Sequence, residues 1–238
     1  ALMAILTNML QMIVMIAIFF VFMEVLGARR VAVRGDFLLY VMSGIFVFMT
    51  HVKAVSAVAG AEGPLSPMMQ HLPMTPVVAV ISAALGSLYT QLTVMATLLT
   101  VYHLVWSPIS INQPIGAISM LLLAWFSGCC FGLLFAAVKP WFPTATPMVQ
   151  MAYIRLQMFA SGKMFLANNL PAKLFAIFSW NPLFHIIDQG RGFTFINYNA
   201  MRTSIEYPLT VSLVAGAIGI LALSYTNRHV SLSWGAGR

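Results

Sequence analysis

The stretch SWNPLFHIIDQGRG at 179–192 places Asn181, Pro182, His185, Asp188 and Arg191 within eleven positions of an otherwise apolar chain. An imidazole, a carboxylate and a guanidinium three residues apart share one side of a helix, where they can bond to one another, to backbone or to water. The flanks predict that helix. Asn181 suits an N-cap, Pro182 suits N1, and Gly190 is expected to end the element after Gln189. A preceding short helix is expected from Pro171 to Trp180. Leu183, Ile186 and Ile187 would form an apolar face, leaving His185, Asp188 and Arg191 on a polar face near water. Two such faces suit a re-entrant element at a translocation mouth, or an interfacial helix that only tethers its neighbours.

The elements that must position this stretch are set by composition. Of 238 residues, 61% are hydrophobic and 7% charged, and the mean hydropathy is +0.91, whereas a soluble domain carries about 25% charged residues. An integral membrane protein follows, read as one domain over 1–238. A hydrocarbon core about 30 Å thick needs roughly 20 apolar helical residues. Six stretches meet or approach that length: 3–26, 37–59, 76–105, 115–138, 146–167 and 208–225. Their apolar character is continuous rather than alternating, which favours helices over barrel strands. The expected fold is all-α, with six transmembrane helices and short re-entrant or interfacial helices between the fifth and sixth.

The opening ALMAILTNMLQMIVMIAIFF lacks a basic n-region and a small-residue cleavage site, so it reads as a span rather than a secretory signal. The chain opens on Ala1 inside this apolar run, which leaves room for a preceding basic or interfacial segment. A charged link holding Arg29, Arg30, Arg34 and Asp36 follows the first span. AEGPLSPMMQHLPMTP, 61–76, joins the second span to the third; its four prolines forbid one continuous helix but leave room for a turn or two from Pro67 to Leu72. GCCFG at 128–132 is a small-xxx-small pattern that permits close helix approach. KPWFPTATP, 139–147, must turn the chain, with Trp141 and Phe142 suited to an interfacial anchor.

Several chemistries are disfavoured. The net charge is +7, but the cations are scattered without the basic cluster of a nucleic-acid surface, so no nucleic-acid partner is expected. Cys129 and Cys130 are adjacent in an apolar run, point to different helix faces and read as packing residues. His51, His71, His103 and His185 could in principle ligate haem in a respiratory membrane anchor. No pair has metal-ligand spacing, and no metal site is expected. The acids Glu24, Asp36, Glu62, Asp188 and Glu206 are dispersed and form no local carboxylate pair, which argues against an enzyme. Charged groups inside spans need water or a partner. Glu24 and Lys53 lie near span ends and can snorkel, whereas Arg155 is deeper.

Three segments, GDFLLYVMSGIFVF at 35–48, SGKMFLANNLPAKL at 161–174 and WNPLFHIIDQGRGFTFINY at 180–198, give the chain a resemblance to type 2 ATP-binding-cassette exporter permeases, of the capsule and O-antigen polysaccharide branch. The last segment resembles that family's Asn-Pro-Leu-x-His pattern, and the resemblance runs over nearly the whole sequence. It implies a permease in the bacterial inner membrane that moves a polysaccharide or lipid-linked glycan outward. Its implied partners are a second copy of itself, two nucleotide-binding ATPase subunits and periplasmic export proteins. ATP and magnesium would sit on the ATPase, with no cofactor on this chain. The sequence has no G-x-x-x-x-G-K-[ST], since Gly162 and Lys163 are followed by Met164. The same fold and motor could instead serve a drug or a lipid.

The resemblance also implies that the link between spans two and three couples to the ATPase. Met68, Met69 and Leu72 would fill a groove there, and Gln70 and His71 would meet its rim. Asn181 to Arg191 would form an outer gate. Sugar faces stack on aromatic rings, so Phe19, Phe20, Phe22, Tyr153 and Phe159, with Arg155, are expected to line a conduit between two subunits; Tyr40, Phe46 and Phe48 are further candidates for the conduit or its rim. The family's topology puts more Lys and Arg outside than inside, against the positive-inside tendency. Family orientation is retained because several of the outer cations lie in the long 168–207 segment, where charge reports orientation poorly.

Overall fold

The computed structural model describes residues 2–25, 37–61 and 76–229. Their secondary structure is helical, without strands: α1 (Leu2–Val25), α2 (Phe37–Ala59), α3 (Pro76–Val105), α4 (Pro114–Val138), α5 (Ala145–Ala160), a 3-10 turn at Ala167–Asn169, α6 (Ala172–Phe178), α7 (Pro182–Thr194) and α8 (Glu206–His229), joined by irregular links. Five of the helices, α1 to α4 and α8, are long and apolar enough to cross a membrane, the make-up of a helical multi-pass membrane protein. Pro76 and Pro114 open α3 and α4 where the missing N–H is no loss.

The expected span 146–167 is corrected. Its helix has 16 residues, about 24 Å at 1.5 Å per residue, short of a hydrocarbon core. The helix stops because Gly162 takes φ +67°, the left-handed conformation that ends helices. A Cβ at Gly162 would lie 2.2 Å from Cδ2 of Phe184, so only glycine allows both that turn and the approach of α7. The last span is longer than expected, because Pro208 falls within the first turn of α8, where proline is tolerated.

At the centre of the fold, α4 packs against α2 on one side and α8 on the other. The GCCFG stretch makes the first contact: Cβ atoms added at Gly128 and Gly132 would lie 2.4 Å from the His51 carbonyl oxygen and 2.7 Å from Cβ of Val58. On the other side, Gly216 and Gly219 of α8 admit Cys130 and Leu133. Small residues thus bring three backbones together where lipid offers no hydrophobic driving force between helices. The most apolar stretch of α2 is 78% buried, against 11% for that of α1, so α2 is enclosed by the bundle while α1 joins the core along one side only, through Met12, Ile16 and Phe19.

Polar groups close the end of the bundle where α4 finishes. Lys139 Nζ donates to the Ala59 carbonyl at 3.4 Å. The Trp141 indole donates at 2.9 Å to Thr226, whose hydroxyl donates to the Ala137 carbonyl. The expected turn of helix at Pro67 to Leu72 and the link carrying Arg29, Arg30, Arg34 and Asp36 lie outside the described residues.

Candidate functional site

The opening stretch forms α7 largely as its capping residues dictate. Asn181 Oδ1 accepts from the Leu183 amide at 3.1 Å, and Pro182 occupies the first turn. Two expectations are corrected. The helix runs through Gly190 to Thr194, because the contacts around α7 outweigh the penalty of about 1 kcal/mol for a helix-interior glycine. Gly190 faces Met120 of α4 and Val47 of α2, where an added Cβ would meet them at 3.5 and 4.0 Å. The polar face does not meet water: His185, Asp188 and Arg191 are 7%, 2% and 1% exposed. Leu183, Ile186 and Ile187 are buried on the other side.

The polar face is buried because irregular backbone surrounds it. Segments 161–170 and 195–205 carry amides and carbonyls that no helix satisfies, and such groups need partners when water is excluded. Arg191 supplies donors: its guanidinium reaches the carbonyls of Gly162 at 3.2 Å, Phe165 at 2.8 Å and Lys163, while lying over the Tyr40 ring. Asp188 supplies acceptors. One oxygen takes the Ala167 amide at 3.1 Å and the Tyr198 hydroxyl at 2.5 Å, and the other takes the Thr203 hydroxyl at 2.9 Å. Burial, and next the neighbouring Asp188 charge, push the Tyr198 phenol upward, which keeps it a proton donor to that carboxylate. Gln189 adds bonds to the carbonyls of Ala200 and Thr203.

His185 joins the helix to the end of α6 and to the segment that leads into α8. The Ser204 amide donates to its Nδ1 at 3.1 Å, so Nε2 carries the proton and donates to the Ser179 carbonyl at 2.8 Å. The three side chains predicted to share a wet face are therefore three separate clamps on the surrounding chain.

A second feature runs through the bundle. Asn181 Nδ2 donates to Gln157 Oε1 at 2.6 Å, and Gln157 Nε2 donates to the Tyr153 hydroxyl at 3.0 Å. That hydroxyl donates to His51 Nε2 at 2.9 Å, and His51 Nδ1 donates to the Ala124 carbonyl at 3.3 Å. The carbonyl fixes the His51 tautomer, so every bond in the chain points the same way and each polarises the next. This series ties the start of α7 through α5 to α2 and α4. It is also what holds α5, whose buried side chains are Thr146 and Gln157. Both ring nitrogens of His51 and of His185 thus bond within the protein, and His103 Nδ1 accepts from the Ile109 amide. No group of three His, Cys, Asp or Glu side chains that could hold a metal occurs among the described residues.

The expected conduit residues do not converge within one chain. Tyr153 points inward to His51, whereas Arg155 and Phe159 lie exposed on the opposite side of α5, Phe159 at 71%. Phe19 is buried beneath Lys163, whose Nζ sits 4.4 Å from its ring centre and 3.7 Å from that of Phe48. Phe20 packs against Phe37 at a centroid distance of 5.6 Å, and Phe22 is 46% exposed. Met68, Met69, Gln70, His71 and Leu72 lie outside the described residues.

Sequence reasoning weighed His51 only as a haem ligand and Lys163 only against a phosphate-binding loop, and gave Gln157, Tyr198 and Thr203 no role. His51, Lys163 and Gln157 carried a usable signal, a polar group within or beside an apolar helix. Lys163 follows α5 and is buried without a hydrogen-bond partner for Nζ among the described residues. Burial pushes its amine down to about 7. Comparison of the sequence with protein-family models and with curated proteins returned no match.

Proposed function

We propose that this chain is the permease subunit of an ATP-driven exporter that moves a polysaccharide or lipid-linked glycan outward across the bacterial inner membrane. ATP hydrolysis belongs to a separate nucleotide-binding chain. The observation that carries the reading is where the Asn-Pro-Leu-x-His segment falls: α7 packs against α2 and α4 with each polar side chain from Asn181 to Arg191 bonded into the surrounding chain. A helix held this way alongside spanning helices suits a re-entrant gate element that must keep its shape while a polymer passes.

In this reading α6 and α7 flank the outer mouth, and the bond series from Asn181 to His51 carries displacements of α5 to the gate. Arg155 and Phe159 occupy an outward face of α5, which suits a path enclosed by two copies. The 61–76 link engages the ATPase through Met68, Met69 and Leu72.

Co-purification of the full chain with an ATPase subunit, and loss of a surface glycan on deletion, are the expected results. Cysteines at Met68 or Met69 should crosslink to that ATPase. A deletion strain with an unchanged glycan profile, or labelling of those cysteines from outside the cell, would overturn the proposal.

A further inference from the structure

Lys163 stands in the irregular segment 161–170 with its amine closed off from solvent: the residue is 3% exposed, and Nζ has no hydrogen-bond partner among the described residues. Two rings enclose it instead. Nζ lies 4.4 Å from the ring centre of Phe19 on α1 and 3.7 Å from that of Phe48 on α2. The main chain behind it is fixed, since the Lys163 carbonyl accepts from Arg191 and a Cβ at Gly44 of α2 would lie 2.9 Å from that carbonyl oxygen. Phe48 is held as firmly, because the bundle encloses α2. Phe19 belongs to α1, which joins the core along one side only.

The ionisable side chains on the surrounding elements bond elsewhere. On α7, Arg191 reaches the carbonyls of Gly162, Lys163 and Phe165, and Asp188 accepts from Ala167, Tyr198 and Thr203. On α2, Tyr40 lies beneath Arg191, His51 bonds to Tyr153 and Ala124, and Lys53 donates to Gln11 of α1. Glu24, further along α1 than Phe19, is not bonded to Lys163 either. Among the described residues no anion offsets a charge on Nζ. Ring faces attract a cation, but they do not replace the water that burial removes from an ammonium, and burial pushes this amine down to about 7. The enclosed position suits the neutral amine, whereas the charged form gains by reaching water. Of the surrounding walls, α1 is the one free to yield.

We infer that Lys163 makes the seating of α1 on the core pH-dependent: α1 closes over the neutral amine and loosens when that amine takes a proton. The direction follows from linkage. With α1 seated the amine titrates at about 7, and once solvated it titrates near 10.4. Between those values the loosened state binds the extra proton, so each unit of falling pH favours it about tenfold, and the effect levels off below about 7. The device does not depend on the transport reading, because it rests on the enclosure of one amine by two helices.

Maleimide labelling of the full chain in mild detergent tests this. The background is Cys129→Ala with Cys130→Ala, carrying Met12→Cys on the buried side of α1, Val58→Cys in the contact of α2 with α4, or Val214→Cys on the exposed face of α8. Dividing each rate by that of Val214→Cys removes the ordinary pH dependence of a thiol. The Met12→Cys ratio should rise about tenfold for each unit from pH 9 to pH 7 and level off below. It should exceed the Val58→Cys ratio at least tenfold throughout, since Val58 is uncovered only when the whole fold opens. Adding Lys163→Met should flatten the Met12→Cys profile. A flat profile with Lys163 in place, equal rates at Met12→Cys and Val58→Cys, or a slope that persists in Lys163→Met would each overturn the device. The first two comparisons keep Lys163, so they decide the matter even where Lys163→Met does not fold.

Discussion

Replacing Asp188 separates a structural clamp from a solvated gate residue. Its carboxylate accepts from the Ala167 amide, Tyr198 and Thr203, and a hydrogen bond to a charged group contributes about 1.5–3 kcal/mol. The simple sum is an upper bound, since Ala would also relieve the cost of burying the carboxylate. Breaking a buried charged arrangement costs about 3–5 kcal/mol, so Asp188→Ala should lose about 4 kcal/mol. Asp188→Asn should lose less, about 2 kcal/mol. Its amide oxygen can keep the bonds from Ala167 and Tyr198, and the Thr203 hydroxyl can rotate to accept from the new NH₂. Unfolding of the purified chain in mixed micelles, followed by far-ultraviolet circular dichroism, would measure both. A loss below about 1 kcal/mol for Asp188→Ala would refute the clamp, because water would then be replacing the carboxylate at no cost.

Tyr153→Phe should destabilise by about 2 kcal/mol in the same assay, since it strands the buried His51 Nε2 acceptor and a Gln157 donor. Gly128→Ala should cost about 2–3 kcal/mol by driving a methyl onto the His51 carbonyl. Gly86→Ala in α3, where an added Cβ meets nothing within 4 Å, should gain about 0.8–1 kcal/mol from helix propensity. The lowered Lys163 amine, at about 7 when folded, binds its proton more weakly than in the unfolded chain, where an ordinary lysine titrates near 10.4. Between those values the unfolded state holds the extra proton, so stability should rise with pH above about 7 and stay level below it. Lys163→Met should flatten that rise and be more stable at neutral pH, which unfolding titrations from pH 6 to 10 would check.

By itself the sequence determined the helical membrane class, the α2, α3 and α4 helices nearly to the residue, the close packing at GCCFG and the capped start of α7. These follow from local physics: runs of apolar residues long enough for a bilayer, prolines at first turns, paired glycines, and an Asn-Pro cap. Tertiary structure decided the rest. Gly162 ends α5 early because Phe184 arrives from α7, 22 residues later, and no local pattern encodes that approach. Gly190 remains inside a helix because Met120 and Val47 pack beside it. The polar side of α7 looked like a wet face because periodicity shows which residues share a side but not what that side meets. Only the fold folds 161–170 and 195–205 back over it, turning His185, Asp188 and Arg191 into partners for backbone that would otherwise be buried unbonded. The series from Asn181 through Gln157, Tyr153 and His51 to the Ala124 carbonyl was hidden for the same reason, since its members lie on four separate segments and meet only when α2, α4, α5 and α7 assemble.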